Sequence, residues 1–199
     1  MQSTSKKATS ETQESFSSRK IYVWKIQGGR RMFSSGLAQG LPAAALAGIT
    51  ICLTLTLAVI SVVDFRTLRI PDALSIPLIV AGLSLAVGSS LAGTVPQVYP
   101  ADYFIGAIAA YVLFGGIGES YFRLRGIDGL GLGDAKLFAA AGAWLGWQNL
   151  PMVLMIAAFG GLAQAVLTRL AHRDTQLAFG PWIAFGFWVV WMMQWVQLE

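Results

Sequence analysis

Six apolar stretches divide the chain, with polar and turn-forming residues between them. The first, Ala43 to Val63, runs for 21 residues without a charge and stops at Asp64. That is the length a helix needs to cross a bilayer, about 20 residues at about 1.5 Å each. The pattern predicts helices over about 42–63, 73–93, 102–122, 134–147, 151–170 and 181–197. Asp72 after Pro71 and Asp102 after Pro100 are expected N-caps. Pro151 and Pro181 stand where a first turn tolerates proline. The stretch at 134–147 is short for a full crossing. The expected fold class is all-α: a polytopic membrane protein whose residues 42–199 form a bundle of about six transmembrane helices. Residues 1–41 are rich in Ser, Thr, Gln, Lys and Arg and hold no spanning run, so a disordered polar and basic tail is expected there.

Composition supports a membrane rather than a large soluble core. Of the 199 residues 55% are hydrophobic and 12% charged, with a mean hydropathy of +0.62. Soluble domains run near 25% charged. A net charge of +4 and a pI near 9.5 would point to nucleic acid in a soluble chain. Here the basic residues serve better as loop anchors, and no nucleic-acid partner is expected. The single cysteine, Cys52, permits no disulfide or CxxC pair within the chain. Its place in an apolar run reads as a small buried hydrophobe. His172 is the only histidine, so no Cys/His metal cluster can form and no metal or cofactor is expected.

Loop charges give an orientation. Arg66 and Arg69, then Arg123, Arg125 and Lys136, then Arg169 and Arg173 fall in alternate loops. The loops at 94–101 and 148–150 carry no Lys or Arg. The positive-inside rule therefore places the first set in the cytoplasm. Two spans separate Asp64 from Asp134, so both acids return to that same face. The tail disagrees, because its seven basic residues (Lys6, Lys7, Arg19, Lys20, Lys25, Arg30, Arg31) fall outside under this count. Either the tail lies outside against its charge, or a start at Met32 removes all seven, or a span is miscounted.

Asp64 and Asp134 carry the candidate chemistry. A carboxylate within the hydrocarbon costs roughly 2.5–3.5 kcal/mol on insertion scales, and is usually there for function. Asp64 opens the motif Asp64-Phe-Arg-Thr-Leu-Arg-Ile-Pro71-Asp72, and Asp134 lies in Gly129-Leu-Gly131-Leu-Gly133-Asp134-Ala-Lys136-Leu137. Gly131 and Gly133 remove side chains from the approach to Asp134 and open backbone angles closed to other residues. Paired carboxylates can share one proton, one acting as acid while the other activates water. Asp134 could also cap its helix, and Asp72 reads as a cap rather than a third catalyst. Glu119 fits either the bundle interior or the interface. Lys136 fits a topology anchor or an electrostatic partner of a site carboxylate. Trp144, Trp147, Trp182, Trp188, Trp191 and Trp195 suit interfacial belts and packing. Ala139–Ala143 and Gly160-Gly161 suit close helix contact.

These motifs resemble the intramembrane aspartyl proteases that carry Gly-x-Gly-Asp, and most closely the type IV prepilin peptidases. Residues 131–151 are similar to that family's second catalytic block almost throughout. Asp64 with Ile70-Pro71-Asp72 resembles the first block, and Phe179-Gly180-Pro181-Trp182 a late Phe-Gly-Pro segment. The resemblance covers about 60–190. It implies an inner-membrane aspartic endopeptidase that removes the basic leader from type IV pilin or pseudopilin precursors at the cytoplasmic face. It assigns the catalytic role to Asp64 and Asp134, with Gly131, Gly133 and Lys136 supporting. Longer family members carry a cytoplasmic insert with paired cysteines linked to N-methylation. Cys52 alone cannot supply it, so peptidase action without methyl transfer is expected. The competing reading is a small proton-coupled transporter or assembly subunit, in which acids spread through the membrane depth would relay protons.

Overall fold

The computed structural model describes residues 42–68, 70–92, 99–125, 131–170 and 178–196. The expected tail at 1–41 lies outside them, as do Arg69, Asp128, Gly129, His172 and Arg173. The described residues form six helices: α1 (Ala43–Thr67), α2 (Asp72–Leu91), α3 (Pro100–Arg125), α4 (Leu132–Leu145), α5 (Leu150–Leu170) and α6 (Gly180–Val196). A 3-10 turn, Trp147–Asn149, joins α4 to α5. All six expected helices are present.

Among the described residues, four helical stretches are long and apolar enough to cross a membrane: Ala44–Thr67, Asp72–Leu91, Pro100–Ser120 and Trp147–Leu170. The chain is a multi-pass membrane protein. With 14 residues, α4 is only about 21 Å long, short of a hydrocarbon core of about 30 Å. It is instead the centre of the bundle, with α2, α3, α5 and α6 packed against it and α1 resting on α6. Leu137 through Leu145 are all buried.

Small residues allow this crowding. A side chain on Gly142 would collide with the Gly106 backbone, and one on Gly106 would come within 2.8 Å of the Gly142 carbonyl oxygen. At this crossing α3 and α4 touch through their main chains, the close approach that small residues permit in membranes. Gly82 of α2 makes room for the Trp144 ring, whose indole N–H donates to the Leu78 carbonyl at 2.8 Å. Gly160 and Gly161 make the expected close contact between helices, here by admitting side chains instead of main chain. They receive the rings of Trp182 and Phe179.

Outward faces are apolar too. Ile51, Leu55, Val59 and Val62 on α1 and Ile105, Ile108 and Val112 on α3 are exposed at helical spacing. Hydrocarbon, not water, is the matching solvent for such faces. Cys52 is exposed on α1, which corrects its expected burial. A lipid-facing helix is apolar on both sides, so apolar neighbours in sequence do not imply burial.

The ends of the helices also differ from expectation. Helix α1 continues past Asp64 to Thr67. Leu53, Leu57, Ile60 and Asp64 form one buried line at helical spacing, while Phe65, Arg66 and Thr67 turn outward. The charge ends the apolar run without ending the helix. Leu68 does end it, in a left-handed conformation (φ 52°), with its N–H donating to the Asp64 carbonyl at 2.9 Å. Asp72 is not an N-cap: Pro71 holds that position, Asp72 is the first helical residue, and no side chain caps α2. Asp102 lies within the first turn of α3, where it accepts from Trp147 Nε1 at 3.2 Å and Gln148 Nε2 at 3.4 Å. Glu119 does not face the bundle interior: it pairs with Arg123 at 2.8 Å on an exposed face near the end of α3.

Candidate active site

At one end of the bundle α1 finishes while α4 and α6 begin, and there the two acids meet. Asp64 is 5% exposed, near the end of α1. Asp134 is half-buried in the first turn of α4 and lies within electrostatic reach of Asp64. The expected return of both to the same face follows from this convergence.

Asp134 does not cap α4 in the expected way. Gly131 is the N-cap, and Asp134 sits three residues on. Its N–H donates to the Gly131 carbonyl at 3.0 Å, and its carboxylate reaches back to the Gly131 backbone amide. This is the acidic half of a capping box. It leaves the carboxylate at the positive end of the helix, where negative charge is favoured. Gly131 has an ordinary extended backbone (φ −70°, ψ 139°), so it needs no angle peculiar to glycine.

Gly133 is required for space. A Cβ there would lie 2.9 Å from the Ile70 Cβ. Ile70, buried in the link between α1 and α2, also approaches Gly180, where an added Cβ would stand 3.0 Å from its Cδ1. The same added atom would stand 2.6 Å from Asp64 Oδ2. Ile70 is therefore wedged between the starts of α4 and α6, each contact possible only against glycine.

Gly180 is the first residue of α6, and its backbone amide is turned toward the Asp64 carboxylate. Asp64 Oδ2 nonetheless has no hydrogen bond of good geometry among the described residues. Buried carboxylate oxygens are rarely left this way, and a reacting group is one reason for it. Each carboxylate thus faces a helix N-terminus, Asp134 that of α4 and Asp64 that of α6. Below them Phe114 stacks between Phe138 (centroids 4.3 Å apart) and Phe179 (6.5 Å), tying α3, α4 and the entry to α6 together.

Lys136 points to neither of these acids. Its Nζ pairs with Asp72 at 2.6 Å. Sequence reasoning does not place Ile70 or Gly180 in the site, although both lie in motifs that it singles out. Only the fold shows that 70, 133 and 180 converge.

Fold and site together define a polytopic helical membrane protein in which two acids from separate motifs, one buried and one half-buried, meet at one end. The chain belongs to the type IV leader peptidase family, whose sequence pattern matches residues 51–166. It is 43% identical over 137 residues to the prepilin leader peptidase/N-methyltransferase of Escherichia coli (strain K12), covering 68% of this chain and 57% of the relative. The protein of the same name from Pectobacterium carotovorum subsp. carotovorum is 41% identical over 149 residues, covering 73% and 51%. That from Burkholderia pseudomallei (strain K96243) is 41% identical over 146 residues, covering 72% and 45%. The chain spans about half the length of these curated relatives. No solved structure shows a significant match.

Proposed function

We propose that this chain is an aspartic endopeptidase that removes the leader from type IV pilin or pseudopilin precursors. The observation that carries the reading is the convergence of buried Asp64 and half-buried Asp134, facing two helix N-termini, in a chain of the leader peptidase family. Two carboxylates this close share a proton more readily than both ionise. The ionised one takes a proton from water, whose oxygen attacks the scissile carbonyl carbon. The protonated one donates to the carbonyl oxygen as the tetrahedral diol forms. Proton return to the amide nitrogen then lets the C–N bond break, leaving a new carboxylate and a new amine. Gly131, which has no side chain, leaves the approach to Asp134 free for an extended backbone, while the space at Gly133 is taken by Ile70.

The site is proposed to lie at the cytoplasmic face of the inner membrane. Arg66, Arg123, Arg125, Lys136 and Arg169 all sit at the site end of their helices, which the positive-inside rule places in the cytoplasm. A proton relay is less well supported, because both acids lie at one end instead of along the membrane depth. Co-expression with a pilin-like precursor tests the reading. A mobility shift, with N-terminal sequencing that places the cut between the basic leader and the hydrophobic segment, is expected. A precursor left intact by well-inserted protein would refute it.

A further inference from the structure

We propose that the ion pair between Asp72 and Lys136 is a positioning clamp that sets the separation of Asp64 and Asp134. The proposal rests on the peptidase reading above. Asp64 and Asp72 flank the short link between α1 and α2, and Lys136 follows Asp134 within α4. The 2.6 Å contact therefore joins the two segments that carry the acids. It lies beside the place where Ile70 meets Gly133. The apolar wedge sets how close the segments come, and the ion pair holds them there.

Two features separate this pair from an ordinary surface contact. Lys136 lies near the positive end of α4, where a cation is disfavoured unless an anion answers it. Asp72, at the first position of α2, is itself favoured by that helix's N-terminus, so it is a preorganised anion. The Asp72 side chain is 57% exposed and that of Lys136 25%, and such pairs add little to overall stability. The effect expected of the clamp is on geometry. Small displacements of reacting groups lower rates by up to about a hundredfold.

The test is a double-mutant cycle on the full chain in membranes, at matched inserted amounts, with Asp72→Asn, Lys136→Met and the double variant. Each single change is expected to lower kcat by roughly tenfold to a hundredfold with KM nearly unchanged. The double variant should be no worse than either single one. The exchanged pair, Asp72→Lys with Lys136→Asp, should recover much of the lost kcat. Additive losses, or an exchanged pair no better than the single variants, would overturn the clamp. So would a rise in KM confined to Asp72→Asn, which would mark Asp72 as a contact for the basic leader instead. Spin labels at Leu68→Cys and Leu132→Cys, in a Cys52→Ser background, give a readout independent of cleavage. Their distance distribution should broaden in Lys136→Met, and an unchanged distribution counts against the clamp. Asp64→Asn and Asp134→Asn run in parallel: cleavage by those variants would sink the peptidase reading, a result separable from failure of the clamp.

Discussion

At Gly180 a single hydrogen atom leaves room for a carboxylate. A methyl group there would stand 2.6 Å from Asp64 Oδ2 and 3.0 Å from the Ile70 side chain, against a buried acid on one side and the apolar wedge on the other. Gly180→Ala is therefore expected to lower kcat/KM at least about tenfold while the protein still inserts. Wild-type cleavage by that variant, measured on the same precursor, would show that Asp64 has more freedom than the packing indicates. The acids themselves are legible in the sequence, because charge within apolar runs is conspicuous. Their local roles are not. Asp72 and Asp134 both stand before apolar runs, and sequence alone reads each as an N-cap. In the fold Asp72 instead answers Lys136, a partner 64 positions away, and Asp134 reaches back to Gly131. Local sequence cannot reveal a distant partner.

The number and order of the helices are legible because runs of about 20 apolar residues have few alternatives in a membrane. Their ends are less so, since a charge can close an apolar run inside a helix, as Asp64 does. Nor does the apolar pattern distinguish lipid-facing from buried sides, which is why Cys52 reads as buried in the sequence and stands exposed in the fold. The short helix α4 depends on its small residues. Gly142→Leu would push α3 away at Gly106, with an expected overpacking cost of about 1–3 kcal/mol. Gly115→Leu on the same α3 meets open space and should change stability by less than about 0.5 kcal/mol. Thermal unfolding of both variants in detergent checks this, and equal destabilisation would contradict the close crossing of α3 and α4.

For the whole molecule, the six helices bring the ends of α1, α3 and α5 and the starts of α2, α4 and α6 to one side. Leu68 lies at that end and Tyr99 at the other, both exposed. In a Cys52→Ser background, Leu68→Cys should resist a membrane-impermeant maleimide in intact cells and react once the inner membrane is opened. Tyr99→Cys should react in both cases. The reverse pattern would place the site outside the cytoplasm. Span parity makes the return of both acids to one end legible in the sequence, and the labelling pattern decides which side of the membrane that end faces. The third contributor to the site, the start of α6 with Gly180, is visible only in the folded chain.

The most direct test of the central claim is the rate of leader removal by Asp64→Asn and Asp134→Asn, each compared with wild type at equal membrane insertion. Both substitutions keep the size of the side chain and remove its ability to exchange a proton. Each substitution alone is expected to abolish cleavage. Persistent cleavage in either variant would contradict a mechanism in which the two carboxylates act as one unit.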